Sequence, residues 1–242
     1  ITQDYLMVDI LNTIGFKKQD IIIEDSEIAY IIDTYTYEAG VRKLKEKMFE
    51  LVREINLQYL MGSDIVFPYT LNRDKIKEIF IDKDKIIKKT ILKIPKVGLV
   101  NGLFATTSGI GGITIIETYR SLSENRLSLE LTGKQGDVMK ESMRVAKTVA
   151  WNLLSKKQQD KIRTSTPYGI HIHCPEAATP KDGPSAGGAI TIAILSQILQ
   201  LPVNNTCAMT GEIDLNGCIH AIGGLYSKIE GGRVAGVKKI LI

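Results

Sequence analysis

Between Gly183 and Gly211 the chain carries no charged side chain, although 24% of its 242 residues are charged. A stretch of that kind either crosses a membrane or lies inside a folded core. Its apolar part runs only from about Ala186 to Leu201 and contains Gly187, Gly188, Ser196, Gln197 and Gln200. A span needs roughly 20 predominantly apolar residues, so a buried core helix fits better. The length allows one or two domains, with apolar material for at least one sizeable core.

The remaining composition narrows the classes. With 44% hydrophobic residues and a net charge of only +4, the chain is a folding sequence rather than a disordered one. The same small charge gives no ground for nucleic-acid or anionic-membrane binding. Cys174, Cys207 and Cys218 are an odd set without metal-type pair spacing, which argues against a disulfide scaffold and for a reducing compartment. The N-terminus lacks the layout of a signal peptide. A start at Ile1 and an end in the apolar run Lys238–Ile242 give the expectation that this is a fragment of a longer chain.

Two regions with a charged joint are expected. Residues 1–80 read as helical: Asp4–Thr13 is amphipathic with Gly15 at its end, and Asp25 and Ser26 are candidate caps for Glu27–Thr34. Val41, Leu44, Met48, Leu51, Ile55 and Tyr59 recur at helical spacing through a long helix from about Glu38 to Leu60. Pro68 interrupts an extended piece, and Asp74–Ile81 resembles one more helix. Residues 81–96 form the expected linker; from position 82 on they hold six lysines and two aspartates. From 97 to 242 strands and helices alternate. Strands are expected at Ile113–Ile116, Leu127–Leu131, Ile170–Cys174 and Thr206–Gly211, with helices at Gly136–Leu154, Ser185–Leu201 and about Leu225–Ala235. Ser155–Arg163 reads as a lysine-rich loop. The pattern is an α/β domain with mixed pairing.

Gly183-Pro184-Ser185-Ala186-Gly187 fits Gly-x-Ser-x-Gly, the turn that presents the nucleophile of α/β-hydrolases. The preceding strand ends too early for that turn, and His220 with Asp214 is the sole downstream histidine–acid pair. Many glycine-flanked serines are simply helix caps. Ser185 nevertheless opens a helix, where free N–H groups and the dipole favour developing negative charge. A serine hydroxyl needs a base. His171 and His173 share one face of a strand and lack a third ligand at metal spacing, so satisfied hydrogen bonding is the simpler role and no metal is expected. Lys228, among apolar neighbours, becomes a base only if burial lowers its pKa; from the bare sequence a surface lysine is the simpler assignment.

At this point the motifs match a family. His171-Ile172-His173-Cys174-Pro175-Glu176, followed by Pro180-Lys181-Asp182-Gly183-Pro184-Ser185-Ala186-Gly187, closely resembles the nucleophile segment of Lon proteases. Thr210-Gly211-Glu212-Ile213, Leu215-x-Gly217 and Ile222-Gly223-Gly224-Leu225-x-x-Lys228 resemble the segment bearing that family's lysine. Leu131-Thr132-Gly133-x-x-Gly136-Asp137-Val138-Met139-Lys140-Glu141-Ser142 resembles a further signature, and Tyr37-Glu38-Ala39-Gly40-Val41-Arg42-x-Leu44 the second-sensor motif of the AAA+ lid.

The resemblance implies an all-α AAA+ lid subdomain over 1–80 and an α/β (α+β) Lon-type peptidase domain with mixed sheets over 97–242, incomplete at its C-terminus. It implies an ATP-dependent serine endopeptidase in which Ser185 is the nucleophile, Lys228 the base, Thr210 a support for the amine and Asp182 a wall of the entrance. As bare residues Thr210 would be a strand hydroxyl and Asp182 a helix cap. Arg42, otherwise a solvated helix arginine, is implied to reach nucleotide phosphates. ATP and Mg2+ are implied cofactors of the full-length enzyme, although no phosphate loop occurs in this sequence; the peptidase chemistry needs none. Implied partners are unfolded or damaged proteins and a homo-hexamer, without a membrane; nucleic acid is undetermined. The implied location is the cytoplasm, with the mitochondrial matrix as the alternative. Departures from the family pattern include Ala177, Ala221, Tyr226-Ser227, Gly231-Gly232 and the stretch Gly102–Gly112. Each glycine of the pair is expected to loosen its helix by up to about 1 kcal/mol. Two competing functions are a Ser185/Asp214/His220 hydrolase and a Lon-like assembly or binding module with an idle site.

Overall fold

In the computed structural model, which describes residues 2–36, 38, 40–107, 109–175 and 183–242, the chain divides into two units, Ile1–Ile87 and Lys88–Ile242. The first is helical. A wide turn at Thr2–Leu6 leads into α1 (Met7–Ile14), which Gly15 closes at φ 104°, its N–H bonded to the Leu11 carbonyl. A left-handed residue there satisfies a free helix-end carbonyl at no Cβ cost. Then follow β1 (Ile21–Ile22), α2 (Asp25–Ile31), α3 (Arg42–Leu60), β2 (Tyr69–Thr70) and α4 (Arg73–Ile79). Leu44, Met48, Leu51 and Ile55 line the buried face of α3 and meet Ile10, Leu11, Ile31, Leu71, Ile76 and Phe80 in one core.

Three expectations for this unit shift. The long helix begins at Arg42 rather than Glu38, and the Glu38 carboxylate instead accepts the Leu44 N–H at 3.0 Å. Asp25 and Ser26 lie inside α2, which has no side-chain cap. The region is not purely helical, because β1 and β2 pair in parallel, Ile21 with Tyr69 and Ile22 with Thr70. Asn72, by contrast, caps α4 by accepting the Lys75 N–H at 3.0 Å.

The second unit contains β3 (Leu99–Ala105), β4 (Gly111–Ser121), β5 (Leu129–Thr132), α5 (Asp137–Leu153), α6 (Lys156–Thr164) and β6 (Gly169–His173). After these come α7 (Gly187–Leu199), β7 (Cys207–Met209), β8 (Glu212–Ile213), β9 (Ile219–His220), α8 (Leu225–Val234) and β10 (Lys239–Leu241). The main sheet runs β10-β7-β3-β4-β6-β5; β4 is antiparallel to both its neighbours and the other pairs are parallel. The sheet is mixed, as the alternating pattern implies. β8 and β9 form a separate antiparallel pair.

The uncharged stretch is explained by α7. Ala189, Ile190, Ala193 and Ile194 are fully buried, packed with Met143, Ala146 and Ala150 of α5 and with Ile170 and Ile172 of β6. A helix covered on nearly every side carries apolar residues all round, each isoleucine contributing roughly 1.5–3 kcal/mol of burial. Among the described residues no helix is long and apolar enough to cross a membrane. Two elements differ from expectation. Lys156–Thr164 is a helix, not a loop, and Ser155 and Gln158 close a capping box on it. β3 lies in the glycine-rich stretch for which no strand is expected; Leu103 packs with Ile113, Ala208 and Ala235 in a smaller second core.

Candidate active site

Ser185 lies in a short 3-10 turn, Pro184–Ala186, that feeds α7 at Gly187, two residues later than the predicted helix start. Gly183, at φ 129° and ψ 150°, precedes it in a conformation that a side chain would resist. The turn is fastened from three directions. The Ser185 carbonyl accepts the Gly211 N–H at 2.8 Å and the Thr210 hydroxyl at 3.2 Å. The Pro184 carbonyl accepts the Ser142 hydroxyl at 3.3 Å, and the Gly188 N–H donates to the Gly211 carbonyl at 3.1 Å. These bonds fix the Ser185 turn to α5 and to the segment joining β7 and β8.

Lys228 comes from α8, and its position depends on an approach that only glycine allows. A Cβ built on Gly111 would fall 1.7 Å from the Ser227 carbonyl oxygen, and one on Gly231 would fall 2.1 Å from the Gly111 carbonyl carbon. The helix therefore lies backbone against backbone on the first residue of β4. Lys228 is 4% exposed as a result, and Thr210 is fully buried beside it. The lysine Nζ is 3.0 Å from the Ser185 Oγ and 3.1 Å from the Thr210 Oγ. Burial pushes the Lys228 ammonium below its ordinary pKa, because no water compensates the charge. A cavity of about 790 Å³ opens on the pair and is walled by Gly102, Thr114, Ile116, Met139 and Glu212 among others.

Other candidates fall elsewhere. Asp182 lies outside the described residues. Arg42 opens α3 with an exposed guanidinium whose Nε is 3.3 Å from Glu46. The His220 Nε2 donates to the Asp214 carboxylate Oδ2 at 3.0 Å, at the β8–β9 hairpin. That bond, with the N–H groups of Cys218 and Asn216, holds the Asp214 carboxyl below the usual range. Neither residue lines the cavity at Ser185, and the side chain bonded to the serine is Lys228. His171 Nε2 and His173 Nδ1 both bond the Thr132 hydroxyl, at 2.8 and 2.7 Å. Among the described residues no group of three or more histidine, cysteine, aspartate or glutamate side chains is placed to hold a metal ion.

Sequence reasoning overlooked three contributors. Ser142 ends the signature Leu131–Ser142, but nothing in its spacing shows that it reaches the Ser185 turn. Gly111 and Gly231 read as loop and loosened helix because their contact joins distant parts of the chain.

A buried amine and a serine hydroxyl within hydrogen-bond distance, at a helix start on a mixed sheet, make this the candidate site of a hydrolase. Comparison with known proteins makes this specific. Residues 70–242 match the family profile described as the Lon protease (S16) C-terminal proteolytic domain, and residues 12–66 match the Lon protease AAA+ ATPase lid domain. The whole chain aligns at 38% identity with the Lon protease of Methanosarcina barkeri and at 35% with that of Clostridioides difficile, covering 29% and 30% of them. It is 33% identical to a Lon protease homolog of Acanthamoeba polyphaga mimivirus, covering all of this chain and 29% of that protein. The chain spans about three tenths of the length of these curated relatives. It belongs to the Lon protease family.

Proposed function

We propose that this chain hydrolyses peptide bonds with Ser185 as nucleophile and Lys228 as general base. The observation carrying this assignment is the 3.0 Å separation of the Lys228 amine and the Ser185 hydroxyl, with the amine buried. Thr210 supports it through its single proton. That proton is directed to the Ser185 carbonyl, so the Thr210 oxygen accepts from Lys228 and leaves the lone pair of a neutral amine for the serine proton. Ser185 attacks the peptide carbonyl while Lys228 takes its proton. N–H groups at the start of the helix stabilise the oxyanion, each worth roughly 3–4 kcal/mol in measured cases. The protonated lysine then gives its proton to the leaving amine, and in the second half it activates water against the acyl-enzyme.

In the full-length protein we take this peptidase to be ATP-dependent and hexameric and to act on unfolded or damaged proteins, in the cytoplasm or the mitochondrial matrix. The family match and the lid support that extension. ATP with Mg2+ supplies the energy for delivering the substrate. Arg42, with its exposed guanidinium at the start of α3, would face the phosphates, and no peptidase step depends on them.

Treatment with a fluorophosphonate probe tests the dyad. Ser185 is expected to be labelled, labelling is expected to vanish in Lys228→Ala, and His220→Ala is expected to react normally. Loss in His220→Ala with retention in Lys228→Ala would assign the site to the Asp214–His220 pair instead. Unlabelled wild-type protein would make this an idle Lon-like module.

A further inference from the structure

A second cavity, of about 320 Å³, opens beside α5 and α6 and is lined by Arg126, Leu127, Lys147, Thr148, Trp151 and Ile162. Leu127 and Ile162 are buried at its base, and Trp151 packs against the same core. The floor is therefore apolar and aromatic. Its charged groups are of one sign. No acidic residue lines the cavity, whereas Arg126 and Lys147 do.

Among the described residues neither cation is paired with a carboxylate. Arg126 donates from Nε to the Ile162 carbonyl at 3.2 Å and from Nη2 to the Ser165 carbonyl at 2.7 Å, which anchors the guanidinium without offsetting its charge. Lys147 makes no ion pair among the described residues. The Arg163 guanidinium sits 5.5 Å from the Trp151 ring centre, and its Nη1 is 3.3 Å from Asp160, the one acid of α6. α6 also carries Lys156, Lys157 and Lys161. Over residues 88–242 there are 19 basic against 11 acidic side chains, a net charge of +8.

An aromatic floor beneath uncompensated cations calls for a ligand with an apolar body and an anionic group close to it. The volume lies at the low end for ligand sites, roughly 300–1,000 Å³, enough for one side chain with its carboxylate. Guanidinium and ammonium donors suit a carboxylate through charge-assisted bonds, and the cavity offers no acid to receive an amino terminus. We propose that this cavity is a binding site for the apolar C-terminal residue of a peptide. Its side chain lies on Trp151, and its terminal carboxylate meets Lys147 and Arg126. The site is separate from Ser185 and independent of the dyad's chemistry.

Trp151 is the only tryptophan of the chain, so its emission reports the cavity directly. Three probes are titrated into the 242-residue protein: N-acetyl-Ala-Leu as the free acid, the same dipeptide as its amide, and N-acetyl-Glu-Leu-amide. The free acid is expected to change the emission saturably. Amidation is expected to weaken it by about tenfold or more, the scale of a lost charge-assisted hydrogen bond. Lys147→Glu, and independently Lys147→Met, which keeps the apolar wall, are expected to do the same. No saturable change with the free acid would overturn the proposal. So would equal binding of acid and amide, which would mark plain apolar adsorption. Equal or tighter binding of the Glu-Leu amide would reassign the cavity to internal acidic residues and overturn the chain-end assignment.

Discussion

Lys47 and Lys228 are both helical lysines, and the two units treat them in opposite ways. Lys47, on α3 of the N-terminal unit, keeps access to water, bonds Glu50 at 3.0 Å and sits 5.1 Å over the Phe80 ring. Glu50 also receives Lys83. Burial alone would raise the Glu50 pKa, but the two ammonium groups hold it below the usual range. Lys228, on α8 of the C-terminal unit, is almost wholly buried, and its partners among the described residues are hydroxyls only. The first arrangement adds modestly to stability. The second weakens the fold, because burying an ammonium without a counter-charge favours the unfolded, hydrated form. Under the proposed role of Lys228 as general base, the burial that costs stability is also what favours the neutral amine.

The contrast is broken or sharpened most strongly by activity. Lys228→Ala and Ser185→Ala are each expected to lower fluorogenic-peptide cleavage by about 10³-fold or more, since members of such a unit do not act separately. Lys47→Ala is expected to leave the rate within about twofold, as a surface pair contributes at most about 1 kcal/mol to stability. Comparable losses from both lysines would erase the distinction.

Next comes the seat of α8. Gly231→Ala forces a Cβ against the Gly111 backbone and is expected to cost about 1–3 kcal/mol by denaturant unfolding, as overpacking does. It should also slow peptide cleavage by shifting α8 and with it Lys228, although Ser185 and Lys228 are themselves unsubstituted. Gly15→Ala in the N-terminal unit meets open space and is strained only by its positive φ, which gives about 1–2 kcal/mol and no effect on cleavage. An alanine tolerated at 231 with full activity would show that the helix does not need so close a seat.

At neutral pH the two groups should contribute to stability with opposite signs, although both, with folded pKa values lowered, make stability rise with pH. Lys228 has a folded-state pKa below its unfolded value of about 10.4, so its penalty is complete below the folded pKa and fades as pH rises toward the unfolded one. Lys228→Met is therefore expected to stabilise the protein at neutral pH, with the gain shrinking in alkali. Glu50 has its pKa lowered by folding, so it contributes above its ordinary value and loses that contribution as pH falls through the folded one. Glu50→Gln is expected to destabilise at neutral pH and to match wild type in strong acid. Unfolding curves across pH check both signs.

The smallest effect concerns a helix that sequence reading assigned to a loop. Ser155→Ala removes the capping box of α6 and is expected to cost about 1 kcal/mol in thermal unfolding, without loss of peptide cleavage.

What was legible in the sequence follows from range. α3 and α7 were visible because apolar spacing and the absence of charge are local properties. α6 was misread because its lysines outweighed the Ser155–Gln158 signal, which is a cap rather than a loop mark. β3 was hidden by its glycine-rich surroundings, where pairing with β4 supplies the order. That Ser185 and Lys228 meet was to be expected only from the resemblance to Lon proteases. On bare residues Lys228 was a surface lysine, since its burial depends on Gly111 meeting Gly231 across the fold.

The proton state of Lys228 can be followed most directly through the rate at which Ser185 is acylated by an active-site probe, measured from about pH 6 to about pH 11. The rate is expected to rise tenfold per pH unit and level off at a midpoint below the ordinary lysine value of about 10.4. In Lys228→Met the dependence should vanish along with most of the rate. A wild-type rate unchanged across that range, or a rising curve with the same midpoint in Lys228→Met, would contradict a buried neutral lysine as the base.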